Sequence, residues 1–408
     1  MKEDCEINYK DAVFKISTTK QKLKQKEYLQ KGKIPVIDQG QELIGGFTND
    51  KEKILDCKLP VVVFGDHTKN VKLINFPFAP GADGTKVLQP KKGILPKYLS
   101  YVTEVLVFKI KDNGYARHYQ HIEKEDFPLV SIPEQQANVK KIEELFSSLD
   151  SGIADLKKAQ DQLAVYRQAV LKKAFEGIKE FKPLKECGEW KGGGTPNRQI
   201  KEYWENGKIP WVSSRDVKTK EIHDTERHIT EIAIPNSSTK WIEENSLLFV
   251  MRSGILRRIF PIAIAKTKLC VNQDIQTVSL DANWNTEYVY WFLQGNESDI
   301  RHSCSKDGTT VESIDANSLK AYLVPFCSLK QQHQIVQEIE SRLSVCDKVE
   351  KDIANSLEKA QALRQSILKK AYEGTLLNEE ELAACKQHKD YEPASVLLER
   401  IKAEKKSK

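Results

Sequence analysis

Three short strings carry residue types from which catalytic chemistry is built. Asp66-His67 sets a carboxylate beside an imidazole, the pairing a general base needs. Asn75-Phe-Pro-Phe78 comes near the (D/N)PP(Y/F) segment that holds an amino group for methyl transfer, and Gly81-Ala-Asp-Gly-Thr-Lys86 comes near a phosphate-cradling loop. None is complete. Phe76 stands where the second motif needs its first Pro, and no glycine turn for S-adenosylmethionine precedes it; the segment reads as a β-edge. The third string has the wrong spacing for GxxxxGK(S/T). No Ser or Cys nucleophile motif accompanies Asp66-His67, which reads as a turn or polar contact after a strand.

What remains are polar and basic loops at predicted strand ends. In the second half of the chain these are Gly192-Gly-Gly-Thr-Pro-Asn-Arg198, Ser213-Ser-Arg-Asp-Val-Lys218, Met251-Arg-Ser253 with Arg257 and Arg258, Asn272-Gln273, and Lys306-Asp-Gly-Thr309. In the first half they are the Lys-rich opening (Lys15, Lys20, Lys22, Lys24, Lys26), Asp38-Gln39, His67-Thr-Lys69 and Asp83-Gly-Thr-Lys86. Arg makes paired hydrogen bonds to guanine and Gln or Asn to adenine, while Lys, Ser, Thr and loop amides hold phosphates. The candidate DNA contacts are therefore Lys22, Lys24, Lys26, Gln39, His67, Lys69, Lys86, Thr195, Arg198, Ser214, Arg215, Lys218, Arg252, Arg257, Arg258 and Lys306. Taken singly, each also fits a solvated surface.

The elements that would position these loops occur twice. KEYWENGKIP at 201–210 repeats KEYLQKGKIP at 26–35 with seven identities, 175 positions apart. SLLFVMRSG (246–254) answers VVVFGDHT, FPIAIAKTKLCVNQD (260–274) answers the segment ending in PGADG, and EYVYWFLQG (287–295) answers KYLSYVTEV. Short apolar runs, LPVVVFG (59–65), KLINFPF (72–78) and EVLVFKI (104–110), predict strands, and 94–106 predicts a short helix among them.

Each repeat is followed by a long helical stretch. The first places Ile142, Phe146, Leu149, Ile153, Leu156, Leu163, Val170 and Ala174 at alternating steps of four and three, with Gln160 and Arg167 in the same seam. The second carries Val336, Ile339, Leu343, Cys346, Val349, Ile353, Leu357, Ala360, Leu363, Ile367 and Ala371 at that average step, the coiled-coil spacing. Ser131 with Glu134 and Ser328 with Gln331 form capping-box signatures, and Gly177 and Gly374 suit left-handed caps. RQAVLKKAFEG and RQSILKKAYEG end the two stretches 197 positions apart, whereas the QQ pairs starting at Gln135 and Gln331 lie 196 apart, predicting one inserted residue. A helix of roughly 40 residues is about 60 Å long, and its natural partner is its own second copy, packed antiparallel.

The expected organisation is an α+β chain of two mixed, β-rich globular domains in tandem repeat, separated by two long helices that form an antiparallel coiled coil. The expected boundaries are 1–132, a central helix 133–177, 178–327, a second helix 328–376 and a tail 377–408 with a helix near Ala394–Lys402. Net charge is +6 over 408 residues; residues 1–132 carry 22 Lys and Arg against 17 Asp and Glu, and 178–327 carry 20 against 20. Charge alone thus does not establish DNA binding. No apolar run approaches 18 residues, the opening MKEDCEINYKD is no signal peptide, and eight Cys without a CxxC pair read as free thiols, so a soluble cytoplasmic protein is expected.

The paired repeats, the RQ(A/S)(V/I)LKKA(F/Y)EG endings, GGTPNR with GKIPWV, FGDHT with GADGTK, and the EPASVLLERIKAE tail resemble the DNA-specificity subunit of type I restriction–modification systems over essentially the whole chain. One departure is a start close to the first repeat, without part of the usual leader. The resemblance implies two target recognition domains that each read half of a split DNA sequence, and helices that set the gap. It also implies docking of two modification subunits, which bind S-adenosylmethionine and methylate adenine, and of ATP- and Mg-dependent restriction subunits. The subunit itself would be non-catalytic and hold no cofactor. A stand-alone methyltransferase or nuclease with a degenerate active site, and a coiled-coil adaptor without DNA contact, are the competing classes; the adaptor leaves the globular repeats without a role.

Overall fold

The computed structural model describes residues 5–110, 117–306 and 311–404. The chain divides into two compact units, residues 1–156 with 355–408, and residues 157–354.

In the first unit a four-stranded antiparallel sheet runs in the order Val13–Ile16, Thr85–Pro90, Val61–Gly65, Val71–Ile74. Beside it Ile34–Ile37 pairs antiparallel with Gly46–Thr48 and parallel with Ala79–Pro80. All five residues of Val61–Gly65 are buried because both faces of the strand are covered. Val62 and Phe64 pack with Leu99, Val102 and Leu106, whereas Val61 and Val63 pack with Ile37, Phe78 and Val87. Such double burial explains the unbroken apolar run. EVLVFKI is not a strand: the helix Pro96–Lys109 runs through it, with Pro at its first turn. Leu99, Val102 and Leu106 recur at helical spacing, and burial against the sheet overrides the β-propensity of the valines.

The second unit repeats this plan. Its sheet runs Gly188–Gly192, Ile275–Leu280, Leu247–Val250, Ile262–Ala265, Glu221–Ile222, the last strand being an addition to the first repeat's four. Leu247 and Phe249 face the core containing Tyr288 and Leu293 from the helix Thr286–Gly295, while Leu248 and Val250 face the opposite side. Ile209–Val212 pairs parallel with Leu269–Val271, as Ile34–Ile37 pairs with Ala79–Pro80.

The long helices span Ile132–Ala174 and Leu329–Tyr372. In the first unit Arg364 donates to Asp150 at 2.7 Å; in the second Arg167 donates to Asp347 at 2.6 Å. Arg167 and Arg364, like Asp150 and Asp347, are 197 positions apart, so one contact is made twice and the helices run antiparallel. Most seam positions turn inward, but Val349 and Leu363 are 40% and 51% exposed. Arg364 takes the place expected of Leu363, its guanidinium 4.1 Å from the Phe146 ring centre. Gln160 is likewise exposed and Ala159 half-buried, since a straight helix of 3.6 residues per turn drifts from a strict 3.5 repeat. Gly152 does not serve a close crossing: a Cβ there would meet nothing within 4 Å.

The capping box forms as expected at Ser131 and Glu134, whereas at the second helix one half of the expected pair is made, Ser328 Oγ accepting from Gln331 N at 3.4 Å. The predicted one-residue insertion is wrong. Buried Gln135 accepts from Leu95 N and donates to the carbonyls of Gly93 and Val130. Its counterpart is Gln332, which accepts from Asn285 N and donates to Asn283 and Cys327. That pair lies 197 apart, like the rest of the helices.

The tail forms the helix Ala394–Ala403, as expected, and an unexpected one, Glu379–Gln387, capped by Asn378 and Glu381. Leu397 and Ile401 are fully buried in the first unit's core. Gly93, at φ +99, lies where a Cβ would come within 2.6 Å of Leu397.

Burial pushes the Glu104 carboxyl up to about 7, against the smaller opposing effect of Arg364 and Lys97. A carboxyl with a folded pKa above its unfolded value binds its proton more tightly when folded. Its contribution therefore favours folding at low pH and is lost as pH rises through about 7. Glu104→Gln is expected to raise the melting temperature of the first unit at pH 8 and change it little at pH 5; an equal change at both would contradict this account.

Candidate nucleic-acid interface

In each repeat the candidate loops are tied together by the same backbone hydrogen bonds. In the first, Leu23 N donates to Pro80 O at 3.0 Å, Gly81 N to Ile37 O at 2.8 Å and Asp66 N to Gly84 O at 2.7 Å. In the second, Gly194 N donates to Val271 O at 3.0 Å, Asn272 N to Val212 O at 2.9 Å and Met251 N to Asp274 O at 2.8 Å. Loops distant in sequence thus meet beside the parallel strand pair, which supplies the Ile37, Pro80, Val212 and Val271 carbonyls.

Around the first repeat's cluster, Gln39 Oε1 accepts from His67 N at 3.2 Å, and the Gln39 carbonyl accepts from Thr68 Oγ1 and from Asn70 Nδ2. Gly84 sits at φ +90, where a Cβ would fall 2.6 Å from Gln39 Oε1 and 2.9 Å from the His67 ring; only Gly fits such a contact. Lys22 donates to Asp83 at 2.8 Å and holds that carboxyl below the usual carboxylate range, with smaller contributions from Lys24 and His67. Lys86 lies 3.1 Å from buried Asp66, which also accepts from Tyr119 N at 2.8 Å. Asp66 therefore anchors a neighbouring lysine and the turn Tyr119–Ile122 rather than serving His67 as the partner of a base. Lys22, Lys24, Gln39, His67 and Lys86 come together here; Lys69 follows at φ +62 in the same turn, and Lys26 is exposed in the turn Gln25–Glu27.

In the second repeat the Gly194 carbonyl accepts from Trp211 Nε1 at 3.0 Å and from Thr239 Oγ1 at 2.6 Å. A Cβ on Gly193 would lie 2.0 Å from Val271 O, so these glycines let the loop lie against the parallel strands. Thr195 donates to Gln273 Oε1 at 2.5 Å, and Ser213 donates through N and Oγ to Asp216 at 2.8 and 2.7 Å. Between these loops is a cleft of about 310 Å³ into which Thr195, Arg198, Ser214, Arg215 and Gln273 converge.

Arg252, Arg257 and Lys306 form a neighbouring group. The Arg252 backbone forms an isolated antiparallel β-bridge with Ser313, Lys306 N donates to Ser313 O, and the Arg257 guanidinium pairs with Glu312, whose carboxyl it holds low. Arg258 and Lys218 are exposed; Lys218 N donates to the carbonyl of Asp216 in the cleft wall at 2.9 Å, and Arg258 N to Ile255 O at 2.9 Å. Asp307, Gly308 and Thr309 lie outside the described residues. Missing from the sequence-based set are Glu226 and Arg227, which line the same cleft. The strand His228–Ile229 that follows them pairs with Ile209–Pro210, a non-local pairing with no local sequence mark.

The family model described as type I restriction modification DNA specificity domain matches residues 6–161 and 178–359. The chain is similar to the type I restriction enzyme EcoR124I/EcoR124II specificity subunit of Escherichia coli, at 31% identity over 353 residues, covering 83% of this chain and 87% of that one. It also resembles the MjaIX specificity subunit of Methanocaldococcus jannaschii, 30% identical over 159 residues, 38% of this chain and 36% of the other. Among solved structures, an HsdS subunit from Thermoanaerobacter tengcongensis aligns with a TM-score of 0.58 at 14% identity, covering 92% of this chain and 98% of that chain. A chain from work on complex assembly of the type I R-M system aligns at 0.70 and 15% identity, covering 91% and 98%. Both likenesses show the fold. Among the described residues no helix is long and apolar enough to cross a membrane.

Proposed function

Because this chain belongs to the type I restriction–modification DNA specificity family, we propose that its two repeats are target recognition domains, each reading one half of a split duplex sequence. In this reading residues 1–132 and 178–327 are the readers. The helices 133–177 and 328–376 set the gap, and together with the tail 377–408 they dock two modification subunits in a cytoplasmic complex. Methylation would belong to those subunits, which would bring S-adenosylmethionine, and cleavage to restriction subunits using ATP and Mg. This chain would contribute recognition and assembly, without catalysis of its own.

The observation that carries the reading is the duplicated loop cluster: unlike side chains are presented by like backbone ties. That is what two readers of different short sequences require, since phosphate contacts orient the protein and side chains at base edges discriminate. Linking two weak readers raises the effective concentration of the second once the first has bound. Both half-sites must also meet their readers in the right helical phase, about 34 Å per turn of DNA.

The test is to map methylated adenines in cells expressing the chain with its partner subunits, before and after inserting seven residues into one long helix. A split sequence is expected, with its gap altered or its methylation abolished by the insertion. The same sequence with an unchanged gap would refute the spacer role, and methylation by the purified chain alone would refute the non-catalytic one.

A further inference from the structure

The two loop clusters differ in cation chemistry. Residues 1–132 contain 21 Lys and a single Arg, Arg117, whereas residues 178–327 contain 13 Lys and seven Arg. The difference is tied to an architectural one. Eight residues connect Ile34–Ile37 to Gly46–Thr48 in the first repeat, while 15 connect Ile209–Val212 to His228–Ile229 in the second. The longer connection supplies the fifth sheet strand, Glu221–Ile222, and brings Arg215, Glu226 and Arg227 to the cleft.

Most polar groups of that cleft are already occupied. Ser213 engages Asp216, Asn272 engages Asp274 and Thr195 engages Gln273. Among the described residues, the guanidinium groups of Arg198, Arg215 and Arg227 and the carboxylate of Glu226 make no hydrogen bond or ion pair. Arg198, Glu226 and Arg227 also border a second cleft of about 490 Å³ beside Trp204 and His228, and so form the ridge between the two. An Arg fork fits guanine O6 and N7, and a carboxylate accepts from cytosine N4. A surface meant only for phosphate would have no use for a carboxylate among three arginines, because it repels the backbone. The first repeat gathers Lys22, Lys24, Gln39 and His67 instead, and its one Arg, Arg117, is exposed beside His118, whose N donates to Asp66 O at 2.8 Å.

Resting on the DNA-reading assignment above, we infer that the second repeat reads at least one G·C base pair, through Arg215 and Arg227 on guanine and Glu226 on cytosine. The two half-sites are then read with different cation chemistry, the second through several arginines and the first chiefly through lysines.

The full chain, co-purified with its native partner subunits, would select its sequence from a random duplex pool. That duplex would then be rebuilt with 7-deazaguanine, which lacks N7, or with N4-methylcytosine. One bidentate contact gives a discrimination of about 5- to 150-fold, so 7-deazaguanine is expected to weaken binding by up to that factor at a position in the half-site that the second repeat reads. Arg215→Ala or Arg227→Ala should abolish the sensitivity, and Glu226→Ala, which removes the acceptor, the sensitivity to N4-methylcytosine, with unchanged melting temperatures. Binding indifferent to both analogues, or equally sensitive in wild type and in these variants, would overturn the inference and leave the arginines on phosphates. Selection of no sequence at all would instead overturn the DNA-reading assignment on which it rests.

Discussion

Gln332→Leu is expected to destabilise the second unit by about 3 kcal/mol or more, whereas Gln331→Leu next to it should change stability by less than about 0.5 kcal/mol. The two residues differ in what surrounds them. Gln332 is fully buried and spends its amide on Asn285 N, Asn283 O and Cys327 O, at 2.7, 2.9 and 2.9 Å. Gln331 is exposed. Leu nearly conserves the volume at 332, so the cost comes from three backbone groups left dry, each worth about 1–3 kcal/mol. Gln135→Leu should act alike in the first unit, where the same side chain bonds Leu95 N, Gly93 O and Val130 O. Denaturant unfolding of the four proteins decides the matter: equal midpoints for the 331 and 332 variants would show that the buried amide holds nothing together.

Leu397→Ala and Ile401→Ala should each cost the first unit about 2–5 kcal/mol, and deleting residues 393–408 should unfold it. Both side chains are fully buried among Val62, Leu88, Tyr98 and Leu99. Lys91 and Lys92 add hydrogen bonds to Ile401 O and Glu404. Two such losses rival the total stability of an ordinary domain, about 5–15 kcal/mol. Limited proteolysis of the truncated chain should release a resistant fragment from the second unit and digest the first. Resistance of both units would mean that the tail decorates the fold instead of completing it.

The duplicated plan, the long helices, their caps and their antiparallel pairing were legible in the sequence, because each leaves a local mark: a repeated string, a period, a capping residue. Register was harder. Adjacent glutamines look interchangeable in a string, and only their surroundings distinguish Gln332, the true counterpart of Gln135, from Gln331. EVLVFKI reads as a strand by composition, and only its packing against Val62 and Phe64 makes it helical. Asn378-x-x-Glu381 is a local capping mark of the helix Glu379–Gln387. For the candidate interface, the loops facing the two clusters could be named, but not their company. Asp66 holding Lys86, Glu312 holding Arg257, and Glu226 with Arg227 in the Arg215 cleft all depend on contacts between residues far apart in the chain.

The paired Arg–Asp bridges carry an evolutionary corollary. Since Arg167 meets Asp347 as Arg364 meets Asp150, a pair of genetic exchanges, one within each helix-coding stretch, would leave the charges between the two helices matched. The module between the stretches is thereby free to be traded for a foreign one, and the lineage can acquire a new address without redesigning its frame.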